Sequence, residues 1–234
     1  MQVGIKIFPD RIPIIPQYAK IADFIEVMAS NQLNLDDLKN FSIPITIHVQ
    51  HTDLGVNPAD KNLEKINLKA VRLAQKAADA ANSDIIILHP GDLTNKSCSL
   101  KNSLDFFKKI NDPRIVTENL GMQIALCRTP EEIAVFKENG FDFCFDFGHA
   151  VITAWYLKKD YKDLVKQFVK LKPAYFHICD GIVNSNKDHL NFHKGNYDLN
   201  FFKKLIGNKR VALETEKSPV EEYKKQIDFL KNGD

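Results

Sequence analysis

The sequence predicts an α/β protein with a single domain, residues 1–234, folded as a (β/α)8 TIM barrel. Short apolar segments rich in isoleucine, valine and phenylalanine alternate with longer amphipathic segments along the chain. There are eight apolar segments, about one every 30 residues, which is close to the smallest repeat that such a barrel uses. Several are almost continuously apolar, as is typical of parallel strands buried on both faces. No linker or low-complexity tract divides the chain.

The predicted strands and helices follow one another in alternation. The strands are expected at 3–8, 23–29, 44–50, 84–90, 114–119, 141–147, 174–180 and 210–216. The helices are expected at 13–21, 33–40, 62–82, 99–110, 129–140, 161–171 and 218–230, of which the first two are short and weak. The polar segment 181–198 lacks any periodicity, and we expect it to form an active-site loop.

A doubly wound open sheet is the main alternative to the barrel. Such a sheet usually carries a glycine-rich turn after its first strand, where a dinucleotide would bind. The first strand and turn of this chain, VGIKIFPD (3–10), contain no such turn. The barrel is therefore the favoured fold.

The composition indicates a soluble, cytoplasmic protein. The net charge is only +2, and the chain has five arginines. This charge is too small to indicate a nucleic-acid-binding protein. The four cysteines show no CxxC spacing, so a reducing compartment is expected. No apolar run approaches the ~18 residues that a membrane helix needs, and no membrane partner is expected.

Histidines and carboxylates gather at the ends of the predicted strands. All seven histidines lie in or just after strand-like segments, and the strands between them end in carboxylates. The candidates are His48, His89, Glu118, Asp146, His177 and Glu214 at strand ends, with His149 and His189 in the following segments. Strand ends of a barrel meet at one rim, so these side chains should converge on a divalent metal centre. One ion needs about four ligands, and the surplus favours two or three ions of the Zn²⁺ or Mn²⁺ type.

Several of these segments, in order, resemble a known family. The motifs are LHPG (88–91), TEN with a following glycine (117–121), CFDFGHA (144–150), FHICD (176–180), DH before KGN (188–196) and LET (213–215). As a set they resemble endonuclease IV and the wider superfamily of xylose isomerase-like TIM barrels, over residues 44–217.

The resemblance implies an arrangement of three metal ions. His48 and His89 would hold one ion and share Glu118 with a second. Asp146, His177 and Glu214 would complete the second site, and His149 and His189 would serve a third. The family pattern has its ninth ligand, an aspartate, two residues before the loop histidine. Here that position is Lys187, and Asp188 is the candidate ninth ligand.

Other residues near the motifs are interpreted as supporting groups. Asn119, Asp180 and Glu216 are expected to orient the ligands. Glu26 is expected to be an ion-paired residue of the rim rather than a pocket acid. His51 and His193 have no counterpart in the resembled family and are interpreted as pocket-lining or surface residues.

The resemblance leaves two chemistries open. An endonuclease IV-like hydrolase would cleave a phosphodiester at abasic sites in DNA, with clustered ions, preferably zinc, stabilising the charge on phosphorus and the leaving oxygen. It would use all the candidate ligands, and lysines such as Lys187, Lys194 and Lys217 would contact phosphates. A sugar or sugar-phosphate isomerase or epimerase would need one divalent ion. For either chemistry zinc is the expected metal, with Mn, Mg or Co as alternatives.

In the isomerase case Glu118 and Glu214 would be the catalytic acids and bases. Such epimerases commonly place an arginine after the seventh strand, and this chain has none between Arg128 and Arg210. The hydrolase is favoured by a narrow margin. A barrel that only binds a ligand is the third alternative.

Overall fold

The computed structural model describes residues 1–232 and shows a closed barrel of eight parallel strands in sequential order. The strands are β1 (Gln2–Ile7), β2 (Phe24–Met28), β3 (Ile45–His48), β4 (Ile86–Leu88), β5 (Ile115–Glu118), β6 (Asp142–Asp146), β7 (Tyr175–Ile178) and β8 (Arg210–Leu213). Pairing of β1 with β8 closes the barrel. The fold prediction is confirmed, and seven of the eight strands are shorter than predicted.

Nine α-helices surround the described barrel. They are α1 (Ile15–Tyr18), α2 (Leu35–Lys39), α3 (Glu64–Ala81), α4 (Leu100–Ile110), α5 (Pro130–Glu138), α6 (Phe147–Leu157), α7 (Tyr161–Lys170), α8 (Leu199–Ile206) and α9 (Val220–Lys231). Short 3₁₀ turns occur at 9–14, 52–54 and 61–63. Among the residues described, no helix is long and apolar enough to cross a membrane.

Two of these helices, α6 and α8, are not among the predicted ones. Helix α6 has the sequence FGHAVITAWYL and buries seven of its eleven residues. A helix that is apolar on nearly every side has no amphipathic period for the sequence to reveal. Helix α8 has only eight residues.

Polar side chains begin most of the helices. The N-cap side chain accepts a hydrogen bond from a backbone amide of the first turn in α2, α4, α5, α6, α7 and α8; the caps are Asn34, Ser99, Thr129, Asp146, Asp160 and Asp198. These caps satisfy amides that have no partner within the helix. One of them, Asp146, is also the last residue of β6 and lies at the rim where the candidate ligands gather.

Successive side chains of each strand point to opposite faces of the sheet, so they belong to two different cores. In β1, Val3, Ile5 and Ile7 belong to the main core between strands and helices. Gly4 and Lys6 take the opposite face, toward the barrel interior. A Cβ at position 4 would lie 2.2 Å from the ring of Phe24, so glycine leaves room for that ring inside the barrel.

The interior of the barrel has two layers. The apolar layer comprises Phe24, Ile87, Val116, Cys144, Tyr175 and Ala212, which together with Ile85 form a separate small core. Two residues further along each strand, on the same face, lies a titratable residue. This charged layer comprises Lys6, Glu26, His48, His89, Glu118, Asp146, His177 and Glu214. The carboxyl end of every strand therefore contributes one ionisable group to the same end of the barrel.

Residues 181–198 form a loop without helix or strand, as expected. Asp180 organises this loop, because its carboxylate accepts hydrogen bonds from the amides of Gly181, Gly195 and Tyr197. Its backbone also pairs with Leu190 in both directions. The loop thereby brings His189 to the rim of the barrel.

Candidate metal centre

Glu118 is the central carboxylate of the charged layer. Its Oε2 lies 3.2 Å from Nε2 of His48 and 3.1 Å from Nε2 of His89. Its Oε1 lies 3.0 Å from Nδ1 of His177. The carboxylate is fully buried and faces two separate groups of ligands with its two oxygens.

The first group consists of His48, His89 and Glu118, whose donor atoms lie within 4.8 Å of one another. Nδ1 of His48 lies 2.6 Å from the carbonyl oxygen of Val49. A carbonyl only accepts, so Nδ1 carries the proton and Nε2 presents its lone pair. The strand geometry thus fixes the tautomer that a metal ligand requires.

The second group consists of Glu118, Asp146, His177 and Glu214, again with donor atoms within 4.8 Å. They come from the ends of β5, β6 and β7 and the residue after β8. Nδ1 of His177 lies 2.7 Å from Oε2 of Glu214 and 3.9 Å from Oδ2 of Asp146. Three carboxylates around one imidazole are a donor set for a divalent ion.

The third group contains Asp146, His149 and His189. Nδ1 of His149 lies 2.9 Å from the carbonyl oxygen of Asn119, which leaves Nε2 for a ligand. Asp188 lies beside this group, with Oδ1 2.8 Å from Nδ1 of His189. That contact makes Asp188 a partner of His189, and its own role as ninth ligand stays a prediction.

Two of the residues expected to support the ligands contact them through the backbone. The Asn119 side chain bridges to Asp146, donating to its carbonyl oxygen at 2.9 Å and accepting from its amide at 2.7 Å. The amide of Glu216 donates to the carbonyl oxygen of His189 at 2.6 Å. Asp180 acts at a distance, through the loop that carries His189.

Lys6, Glu26 and Tyr175 form a buried network beneath the second group. Nζ of Lys6 donates to Oε1 of Glu214 at 2.6 Å and lies 3.7 Å from Oε1 of Glu26. Glu26 is fully buried and lies within ion-pair distance of Lys6, so the expected ion pair is present. Lys6 was missed, although its place two residues after Gly4 in an apolar strand was a signal. Cys144 also lies within reach of Glu118 and His177.

Burial and charge act against each other in this centre. Burial would raise the pKa of Glu118, but His177 and His89 outweigh it and hold the pKa well below its usual range. Burial dominates for Asp146 and raises the pKa of its carboxyl. Burial disfavours the imidazolium of His189, but hydrogen bonds to Asp188 and Glu214 raise its pKa to about 11. In the metal-free centre, protons bound to these side chains therefore supply positive charge that a metal ion would supply when bound.

Several donor atoms in the described centre are buried without a hydrogen-bond partner. They include Oδ2 of Asp146, and also Nε2 of His89 and Oε2 of Glu214, whose close neighbours in the centre are not aligned for a hydrogen bond. An unsatisfied buried polar atom is costly, and a metal ion would satisfy these atoms together. The residues therefore fit a divalent metal, with nitrogen and oxygen donors typical of zinc or manganese.

A cavity of about 550 Å³ opens over the centre. His89, His149, His189 and Glu214 line its floor. One wall is apolar and consists of Leu120, Met122, Ala125, Ile152 and Tyr156. The cavity is large enough for a sugar-sized group.

The histidines and lysines that the sequence analysis named outside the three ligand groups differ in whether they line the cavity. His51 lines the cavity and stacks on His89 with ring centroids 5.5 Å apart. His193 is exposed and packs against Phe229. Lys217 lines the cavity but pairs with Asp10 at 2.6 Å. Lys187 and Lys194 are exposed on the loop outside the cavity lining.

The closed barrel, with groups of candidate metal ligands at its rim, defines an α/β-barrel protein. Within that class, the chain belongs to the family of xylose isomerase-like TIM barrels, whose family model matches residues 22–233. A curated relative, uncharacterized protein MJ1614 of Methanocaldococcus jannaschii, is 26% identical over 206 residues, covering 85% of this chain and 80% of that protein.

Solved structures share the fold across nearly the whole chain. A D-tagatose 3-epimerase-like protein is similar with a TM-score of 0.77 at 19% identity, covering 99% of this chain and 96% of that one. Endonuclease IV from Thermus thermophilus is similar with a TM-score of 0.73 at 14% identity, covering 95% of each chain. The IOLI protein, solved with a zinc atom, is similar with a TM-score of 0.70 at 15% identity, covering 99% and 95%. These likenesses show the fold, which both an endonuclease and epimerases use.

Proposed function

We propose that the protein is a metal-dependent hydrolase of phosphate esters, of the endonuclease IV type, with a centre of two or three divalent ions. The observation that carries the proposal is the sharing of ligands between groups. Glu118 belongs to the first and second groups, and Asp146 belongs to the second and third. A single ion would leave the first and third groups without use.

The ligand assignments follow from the three groups. His48, His89 and Glu118 would hold one ion; Glu118, Asp146, His177 and Glu214 a second; and His149 and His189, with Asp146 or Asp188, a third. When bound, clustered ions supply positive charge for a phosphoryl oxygen and for the leaving oxygen. The chain itself orients these ligands, through the carbonyl oxygens of Val49 and Asn119 and through the carboxylate of Asp188.

Abasic DNA is the substrate that the proposal puts first. The cavity would take the abasic nucleotide, and Lys217, which lines it, would contact an incoming phosphate. Protein purified without chelator should contain about three zinc or manganese ions per chain by elemental analysis. It should also cleave a duplex that carries one abasic site and leave the intact duplex uncut.

A sugar or sugar-phosphate isomerase or epimerase is the second candidate. The second group favours it, because Glu118, Asp146, His177 and Glu214 form a complete four-ligand site by themselves. Glu118 and Glu214 would then move protons on the substrate carbon. About one ion per chain, with turnover of a ketose and none of abasic DNA, would replace the first proposal with this one. Turnover of neither substrate would favour a barrel that only binds a ligand.

A further inference from the structure

The carboxylate of Glu26 lies behind the second ligand group, on the side away from the cavity. It is fully buried on β2 and is not among the residues that line the cavity. Its Oε2 lies 2.9 Å from Nε2 of His177 and accepts a hydrogen bond from the hydroxyl of Tyr175 at 2.8 Å. Glu26 therefore contacts the nitrogen of His177 that faces away from the other ligands.

This contact decides which nitrogen of His177 keeps its proton when an ion binds. A carboxylate accepts, so a proton stays on Nε2. Nδ1 is then the nitrogen left to bind an ion in place of a proton, and it is Nδ1 that lies near Glu118 and Glu214. His48 has the opposite arrangement, with its proton on Nδ1 and its lone pair on Nε2. The centre thus has a separate device for the tautomer of each of these histidines.

Lys6 keeps the arrangement from reversing. Its ammonium lies 3.7 Å from Oε1 of Glu26 and donates to Glu214. The positive charge of Lys6 stabilises the ionised form of Glu26. It also favours an acceptor oxygen, rather than an N–H or O–H donor, on the side of residue 26 that faces Lys6. Lys6 and Glu26 together thus form a fixed partner for two ligands of the second group.

We propose that Glu26 is a positioning residue that fixes His177 in the tautomer and orientation needed to bind a divalent ion through Nδ1. The inference rests on the metal centre of the proposed function, and it holds for the hydrolase and for the isomerase alike. Glu26 touches no substrate, so its effect should appear in metal affinity itself. Loss of such a partner typically weakens metal binding by about 10–100-fold.

The variant Glu26→Gln tests the proposal with nearly unchanged shape. Lys6 would attract the amide oxygen, which turns the amide NH₂ toward His177. The NH₂ donates to Nε2 and forces the proton onto Nδ1, where the ion should bind. Zinc alone, titrated against a chromophoric chelator, should bind about 10–100-fold more weakly than to the wild type. The visible spectrum of the Co²⁺-loaded variant should also change, since a ligand nitrogen is lost.

Tyr175→Phe is the matched control, because it removes the other hydrogen bond to Glu26 and leaves the His177 contact in place. Its zinc affinity should stay close to that of the wild type. An equal loss in both variants would mean that the network matters only for packing, and would overturn the proposal. Zinc binding by Glu26→Gln at wild-type strength, with an unchanged Co²⁺ spectrum, would overturn it as well.

Glu26→Asp covers the case in which Glu26→Gln fails to fold by circular dichroism. The shorter carboxylate keeps the charge but moves away from Nε2, so zinc affinity should fall measurably; wild-type affinity would overturn the proposal. Absence of zinc binding in the wild-type protein is a different result. It would remove the metal centre and the proposed function together, whereas the outcomes above concern Glu26 alone.

Discussion

The apolar layer and the charged layer occupy the same face of the same strands, two residues apart, yet they have opposite effects on the stability of the fold. Val116 precedes Glu118, Cys144 precedes Asp146 and Ala212 precedes Glu214. The apolar side chains fill the barrel, and each fully buried valine or isoleucine adds about 1.5–3 kcal/mol to stability. Each buried ion of the charged layer costs several kcal/mol unless it is well paired. The fold is stabilised in one layer and holds reactive groups in the next.

The comparison teaches that stability and function can be separated along a single strand. A substitution in the charged layer should change ion content and activity more than it changes folding. A substitution in the apolar layer should do the reverse. The four experiments below test this division, beginning with the one that should have the largest effect.

Glu118→Gln should have the largest effect on function, because Glu118 faces two ligand groups. Both ions that it contacts should bind more weakly, and activity should fall by at least about 100-fold, beyond the usual effect of losing a neighbouring partner. Elemental analysis and single-turnover assays measure the two losses. Asn119→Ala is the control: it keeps every ligand and should lower activity less. Full ion content and full rate in the glutamine variant would contradict the shared role.

His89→Ala should divide the two candidate chemistries. In a hydrolase, cleavage of abasic DNA should fall by orders of magnitude and about one ion should be lost, because His89 belongs only to the first group. In an isomerase, the single ion at the second group should remain. His193→Ala, an exposed histidine on the loop, is the control and should change neither quantity.

Zinc binding should release protons at pH 7. In the metal-free protein, burial works against the imidazolium of His177, yet nearby Cys144, Glu26 and Glu118 hold its pKa well above the usual value. The pKa of His189 is raised to about 11, so its ring is protonated at neutral pH without metal. Ligation needs a lone pair on each ring, so affinity should increase as the pH rises.

Calorimetric titrations with zinc in two buffers of different ionisation enthalpy measure this release. His51→Ala is a suitable control. Burial, followed by the charges of His89 and His48, lowers the pKa of His51 to about 3, so its ring is neutral at pH 7 and has no imidazolium proton to release. Equal heats in both buffers for the wild type would show that the rings are neutral before zinc binds.

Ile87→Val should have the smallest effect, on stability alone. Ile87 lies in the apolar layer and is fully buried. Removing one methylene group there should lower the free energy of unfolding by about 0.5–1.5 kcal/mol. Urea titration of the metal-free protein gives the value, and elemental analysis should find the wild-type ion content. A loss of ions in this variant would show that the two layers are coupled.

The sequence pointed to the candidate ligands more completely than to the buried residues that surround them. Histidines and acids at strand ends are rare enough to recognise, and the repeat of strands gave their common rim. Lys6 and Glu26 lie inside strands and resemble ordinary surface charges in the sequence. Glu26 meets Tyr175 and His177 across 149 and 151 residues, a contact that only the closed barrel creates. Counting two residues from Phe24 would have pointed to Glu26, and counting two residues from Gly4 would have pointed to Lys6.

Asp146 divides its carboxylate between two tasks. Oδ1 accepts the amide of His149 at 2.7 Å and begins helix α6, while Oδ2 is buried without a hydrogen-bond partner. An ion held by Oδ2 would also restrain Oδ1, so loading the centre would tighten the first turn of α6. Amide hydrogen exchange at His149 would then be slower in the loaded protein than in the empty one. Amide exchange at the start of helix α6 would therefore report whether the barrel holds its metal.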